Sequence, residues 1–524
     1  MTTRNYTGLV LAVFLAALAV RFVRLDLRPM HHDEANQAVK FGQLLESGRY
    51  VYDRNEHHGP TLYYFSLPAA RAAGARTLAD LSESDLRRLP AVLGAAVVLL
   101  LALLVGGLSR EAVVFAGLFA AVSPVMVYYS RFYIQETLLV FSLAGLIGAG
   151  WQWAKKRSVG AAAATGLFAG LMAATKETAV ILLGAAAGAL ILLYFFSGES
   201  RAKFPVRVHY LGLAACLAAA GAVVYIFYSS FLRNPDGPRD WLASFATYVG
   251  RAGGEGQAAV HRYPWYYYLK LVGFNHPATG PVWSEAFILA LAVAGAIAAF
   301  TAVRGRDGHP ALQRFLVFFT GLAAAAYSII PYKTPWNVLP FYLGVIILAG
   351  LGASLMWRAS RFVVFKILAL VVLVPGLTNL GGQTYRANFV VPADPTNPYV
   401  YAQTVPDFKR LIDRVEDVAR VAPEGRDLLV KVIAPADETW PLPWSLRRFT
   451  RVGFWTNVAT AGGAGGAPLI IASADMAGKL EPELSNGYQV EHYGLRPEVV
   501  LTLAVRRDLW DKLMAKIIAE RKRP

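Results

Sequence analysis

Charge is scarce in this sequence. Asp, Glu, Lys and Arg make up 16% of its 524 residues, against 56% that are hydrophobic. Water-surrounded domains usually carry about 25% charged residues, so the composition argues against a soluble globular body, and it excludes disorder, collagen and coiled coil. Cysteine is nearly missing as well. Cys216 stands alone, which rules out an intramolecular disulfide and a cysteine-based zinc site. Its setting, LGLAACLAAAGAVV, is that of an inert buried thiol. No internal repeat of about 20–50 residues is present. No Gly-rich phosphate loop stands on the expected cytoplasmic side, which argues against a nucleotide-linked substrate.

What is present is a series of long apolar runs. Stretches of about 17–22 apolar residues give eleven expected spans. They begin near Gly8, Pro90, Ala112, Glu136, Ser158, Thr178, Tyr210, Val282, Phe315, Trp336 and Phe362. Many are rich in Ala and Gly, which suits helices packed closely in lipid. The fold class expected is therefore a polytopic α-helical membrane protein. The first run also reads as a signal peptide, with Ala17-Leu18-Ala19 as a cleavage site, but a retained helix is the preferred reading.

The basic excess, 51 Lys and Arg against 35 Asp and Glu, would suit a nucleic-acid partner if it formed a patch. Its distribution says otherwise. With the N-terminus in the cytoplasm, the short inner connections hold 14 basic residues, among them Lys155, Lys156, Arg157, Arg304 and Arg306, and three acids. That bias sets orientation. Nearly everything long then lies outside: a first loop over 26–89, a second over 231–281, and a tail over 384–524 following a membrane domain over 1–383. The tail balances 19 basic with 17 acidic residues. VPDFKRLIDRVEDVARVA has helical period, LLVKVIAP and PLIIASAD read as buried strands, and AGGAGGAP is a loop. A small extracytoplasmic α/β domain is expected there.

Polar residues gather at the expected external ends of the spans. The densest group is His31-His32-Asp33-Glu34, just after the first span. A bland reading is a helix start with its acids near the positive dipole end. A second cluster in the same loop, Tyr52-Asp53-Arg54-Asn55-Glu56-His57-His58, weakens that reading. His, Asp and Glu can ligate zinc or manganese, but the spacing is not that of HExxH and a bound metal is not expected. Arg131 and Glu136 stand at the entrance of an apolar helix, where ionisable groups tend to be functional. Lys176-Glu177 and Tyr332-Lys333 lie in two short outer turns. Each lysine is either a snorkelling residue or a phosphate ligand at headgroup depth.

Taken in order, these residues resemble the membrane glycosyltransferases of the GT-C fold, family 39, a group that includes protein O-mannosyltransferases and lipid A aminoarabinose transferases. Within it they look most like the subfamily described in archaea as flippase-activity-associated. The resemblance rests on His32-Asp33-Glu34-Ala35, His58-Gly59-Pro60, Ser130-Arg131-Phe132-Tyr133 with Glu136, Lys176-Glu177, and Pro331-Tyr332-Lys333-Thr334-Pro335-Trp336. It spans roughly residues 1–380 and leaves the tail unplaced.

The resemblance implies inverting transfer of a sugar from a polyprenyl-phosphate-linked donor to a hydroxyl of a lipid, glycan or protein at the external face of the cell membrane. Asp33 matches the general base, with Glu34 beside it, and Glu136 orients the acceptor or the first loop. Arg131, Lys176 and Lys333 become cations for the departing phosphate. His32, His58, Tyr133, Glu177 and Tyr332 complete the substrate-binding set. No cofactor is implied, although the doubled histidines depart from the family pattern and leave a divalent metal open. The competing readings are a transporter or flippase for a lipid-linked glycan, and a non-catalytic assembly subunit. Acids clustered at the surface, and the absence of paired repeats, favour the enzyme.

Overall fold

The computed structural model describes residues 1–53, 58–196, 209–253, 261–301, 308–359 and 362–521; His57, Glu56 and Arg54 lie outside the described residues. Each of the eleven expected spans is a helix. Eight are long and apolar enough to cross a membrane, and Val159–Ala173 and Ala286–Thr301 are apolar but shorter. The eleventh, Arg110–Val122, stops after 13 residues because Ser123 caps a new turn that Pro124 begins. The chain is an integral membrane protein.

The Ala/Gly pattern does what close helix packing requires. A methyl group on Gly166 would sit 1.9 Å from the Cys216 carbonyl oxygen, and one on Gly295 would sit 2.0 Å from that of Leu348. Helix Val159–Ala173 therefore touches Tyr210–Tyr228 backbone to backbone, and Ala286–Thr301 touches Leu339–Ala359 in the same way. Between the turns of the apolar body lies a cavity of about 610 Å³ lined by Ile147, Trp151, Leu190 and Phe315 among others. It sits toward the helix ends that carry Arg157 and His209, the opposite ends from Glu136 and Lys333.

The first long loop, 26–89, is itself helical in large part: His32–Ser47, Thr61–Ala72 and the start of Glu83–Leu101. Helix His32–Ser47 starts where a capping box forms. The His31 ring accepts from the Asp33 N–H at 3.0 Å, and Glu34 accepts from the His31 N–H at 3.1 Å. It ends at Gly48, whose φ of 67° is the left-handed cap that glycine adopts without cost. The second loop contributes helices Gly237–Ala252 and Tyr267–Gly273.

The tail domain holds a five-stranded sheet in the order β2-β1-β3-β5-β4. Its strands are β1 (Val430–Ile433), β2 (Val452–Trp455), β3 (Leu469–Ser473), β4 (Tyr488–Arg496) and β5 (Val499–Arg506). β1 runs parallel to β2 and β3, whereas β5 is antiparallel to β3 and β4. Helix Asp407–Ala419 covers one face with Phe408, Leu411, Val415 and Val418. The boundary falls later than residue 384. The last apolar helix runs to Tyr385, and the strap after it packs Tyr399 into the core of the membrane body. Glu285 anchors that strap, accepting from Tyr399 and Tyr342 hydroxyls, Ser123 and the Val125 N–H at 2.6–3.0 Å.

Candidate active site

The five polar motifs, scattered over three hundred residues of sequence, close a ring. Glu34 of the first accepts from the Tyr133 N–H of the third at 2.8 Å. Glu136 of the third pairs with Lys176 of the fourth. Lys176 also donates to Asn337, 3.4 Å away and next to Trp336 of the fifth. Trp336 stands edge-on to His31, with centroids 5.8 Å apart, and so returns to the first motif. The second motif joins through backbone, as Gly59 N–H donates to Thr175 and Thr61 N–H to Ala174. That approach demands glycine: a Cβ at position 59 would lie 2.1 Å from the Ala174 oxygen.

The acids in this ring are not alike. Glu34 is fully buried and receives two hydrogen bonds from Arg87, at 2.7 and 2.6 Å. Burial alone would raise its carboxyl, but the Arg87 charge and hydrogen bonds overcome that and hold it at about 2. Both Glu34 oxygens are thus taken, by Arg87, the Tyr133 N–H and the His31 N–H. Glu136 is neutralised by Lys176. Glu177 accepts from Tyr52 at 2.8 Å and meets the His58 ring at 2.7 Å. Burial opposes its ionisation, yet His58 and Tyr52 keep its carboxyl below the usual range.

Asp33 differs from all three. It is half-buried at the first turn of its helix, and its carboxylate has no hydrogen-bond or ion-pair partner among the described residues. Around it stand His32, the His31 ring, and His261, which is close enough to feel its charge. Burial pushes both His32 and His261 below the ordinary imidazole value, and Asp33 only partly offsets this. His261 hydrogen-bonds the Tyr401 hydroxyl and stands edge-on to Tyr332.

The cations also divide. Arg131 donates to the carbonyls of Val20, Arg21, Val23 and Arg24 at 2.7–3.2 Å, closing the exposed end of the first helix. In this position it acts as a helix cap. Tyr133 is likewise internal, with its hydroxyl 3.1 Å from Ser66 and its ring against Phe41. Lys333 is the reverse case. It is 0% exposed, and among the described residues its ammonium donates only to the carbonyls of Ile330 and Tyr263. No carboxylate pairs with it among the described residues. Burial lowers its pKa from the usual lysine value. Among the described residues no three His, Cys, Asp or Glu groups converge to hold a metal ion.

Several residues of the site carry no local signal in the sequence. Arg87 sits in the polar first turns of helix Glu83–Leu101, just before an apolar span; Arg28 stacks on Phe132 at 3.4 Å and donates to the Arg131 carbonyl. His261 and Tyr401 arrive from the second loop and the strap. The strap is sewn to the first loop by Tyr401 carbonyl to His31 at 2.9 Å, Gln403 to Pro29 at 3.0 Å and Thr404 to Met30 at 2.7 Å. The tail domain adds Trp444, which donates to Glu83 at 2.8 Å, and Arg447, which donates to Leu81 at 2.7 Å.

A polytopic helical body with helical loops, a polar cluster at one set of helix ends and a small α/β domain over it is the architecture of the GT-C membrane glycosyltransferases, and this chain has that fold. ArnT from Cupriavidus metallidurans, solved with undecaprenyl phosphate, aligns over 97% of this chain and 99% of its own at a TM-score of 0.64 and 16% identity. The archaeal oligosaccharyltransferase AglB from Archaeoglobus fulgidus, in complex with an inhibitory peptide and a dolichol-phosphate, covers 97% of this chain and 77% of its own. Its TM-score is 0.56 at 12% identity. At such identities the likeness is one of fold. In sequence, residues 68–226 match the family described as dolichyl-phosphate-mannose-protein mannosyltransferase. No curated protein matches the chain.

Proposed function

We propose that this chain is an inverting glycosyltransferase that takes a sugar from a polyprenyl-phosphate donor and delivers it to an acceptor hydroxyl. The observation that carries the reading is the contrast at the ring: Glu34, Glu136 and Glu177 are held by side-chain partners, while the Asp33 carboxylate has none among the described residues. In the reaction the acceptor oxygen attacks the anomeric carbon and the carbon–oxygen bond to phosphate breaks. One displacement inverts the anomeric centre. Asp33 takes the acceptor proton, and the lipid phosphate leaves with the electron pair. Lys333, which has no acid to satisfy it, meets that phosphate, with Lys176 steered by Glu136 and Asn337 beside it. Glu34 holds the first turn of the helix so that Asp33 stays in place. The fold shared with ArnT and AglB, whose structures hold undecaprenyl phosphate and a dolichol-phosphate, supports a lipid-linked donor. The basic inner connections support a site on the external face of the cell membrane, with the N-terminus inside.

The test is mass analysis of envelope glycans and their lipid-linked precursors, with the gene deleted and restored. A glycan lacking one sugar, recovered by the wild-type gene and not by Asp33→Asn, is the expected result. Accumulation of a complete lipid-linked glycan would instead identify a transporter.

A further inference from the structure

The cavity of about 610 Å³ in the membrane body is walled by spans. Helix Glu136–Lys156 gives it Ile147 and Trp151, Ala179–Phe196 gives Leu190, and Pro310–Ile329 gives Phe315. Short side chains keep these helices from closing on each other. Helix Ala179–Phe196 leans on Pro310–Ile329, where a Cβ at Gly188 would lie 3.0 Å from Leu322. To the cavity it offers Ala186 and Ala187, and Glu136–Lys156 offers Gly150 and Ala154, all too short to bridge the gap. A Cβ on Gly150 would meet only Thr165, at 3.9 Å. One end of the cavity is polar. Arg157, the left-handed cap of Glu136–Lys156 with φ 50°, lines it together with His209, the N-cap of Tyr210–Tyr228. The Trp153 indole N–H donates to Nδ1 of His209 at 3.3 Å. In the neutral ring the proton therefore sits on Nε2, and nothing among the described residues accepts from it.

We infer that this cavity binds an acyl chain of an anionic phospholipid, whose headgroup phosphate meets Arg157 and His209. Its size is that of a ligand pocket, and protein interiors tolerate few voids larger than a water molecule. An apolar cavity does not recruit water, and between spans the medium at hand is hydrocarbon, which restores contact to every wall. The polar end selects the headgroup. A guanidinium and an imidazole N–H complement a phosphodiester, and Lys155 and Lys156, exposed just before Arg157, draw anionic lipid to that surface. The donor lipid is a different molecule at a different place, because Lys333, proposed to meet its phosphate, lies at the opposite helix ends. The bound phospholipid holds helix Ala179–Phe196 to the body, and that helix begins two residues after Glu177 of the ring. It is not a reactant, and its site stands whether or not the chain transfers a sugar.

The experiment is native mass spectrometry of the full chain in detergent, titrated with dioleoyl phosphatidylglycerol, dioleoyl phosphatidylcholine or undecaprenyl phosphate. One phosphatidylglycerol should be retained at a concentration roughly 10-fold below that needed for phosphatidylcholine. Phosphatidylglycerol carrying a photoreactive diazirine in its acyl chain should crosslink to cavity residues such as Ile147, Leu190 and Phe315. Ala186→Phe, which fills part of the cavity, should weaken retention roughly 10-fold and remove those crosslinks. Arg157→Gln with His209→Gln leaves the cavity open and should abolish the preference between the two phospholipids while keeping the crosslinks. That second variant carries the test if Ala186→Phe does not fold. Crosslinks confined to other helices overturn the inference. Equal retention of both phospholipids by wild type, or an unchanged preference in the double variant, does the same. Undecaprenyl phosphate that displaces phosphatidylglycerol from those crosslinks also overturns it, by giving the cavity to a polyprenyl lipid.

Discussion

Arg87 and Glu34 show how a residue that looks catalytic becomes structural. Both are buried, and each is the other's counter-charge. Removing one partner of such a pair usually costs about 3–5 kcal/mol, because the other is stranded. Arg87→Ala should lower thermal stability by that order in a detergent melt, with the first loop released earliest in hydrogen exchange. The pH dependence follows from the depressed carboxyl. Glu34 contributes stability above its ordinary value of 4.5, and this is lost as pH falls from there toward about 2. Glu34→Gln should lie lower at neutral pH and lose less on acidification, read as melting temperature between pH 7 and pH 3. Lys333 and Arg131 make the complementary pair. Lys333→Ala should weaken donor turnover roughly 10–150-fold, because a charge-assisted contact to phosphate is lost. Arg131→Ala should instead lower the melting temperature more than Lys333→Ala does, because four backbone carbonyls lose their donor.

At the scale of elements, the site is built by backbone pairing as much as by charge. Gly59 lets the end of the first loop lie against the turn that carries Lys176. Gly59→Ala should therefore lower turnover and stability together while leaving every charged group in place, read by activity and melting of the same preparation. The sequence shows the eleven spans because apolar length is a local property. It shows the motifs because polar clusters between such spans are conspicuous. It marks Asp33 as a candidate yet does not separate it from Glu34, since the difference lies in which acid meets Arg87, some fifty residues away in an apolar helix. His261 and Tyr401 are beyond reach for the same reason: each is an ordinary residue locally and gains its place in the site only from distant partners. The capping contacts of Arg131 are not legible either, because an arginine at a helix entrance has the same local signature whether it caps carbonyls or faces a phosphate.

Across the whole molecule, two halves of unlike origin in the chain meet at one plane. The membrane body supplies the ring, and the tail domain closes over it through the strap, Trp444 and Arg447. We propose, from the basic residues in the short connections, that this plane faces outward. Ala73→Cys in a Cys216→Ser background, at an exposed outer-loop position, should react with an impermeant thiol reagent in intact spheroplasts; labelling only after permeabilisation would reverse the orientation. The central claim is that the unpaired Asp33 carboxylate is the base of the transfer. It is tested most directly by comparing Asp33→Asn with wild type in single-turnover transfer from a polyprenyl-phosphate sugar, donor binding being measured in parallel. The account predicts turnover lower by about 10²–10⁴ with the donor still bound; transfer at the wild-type rate by the Asn variant would contradict it.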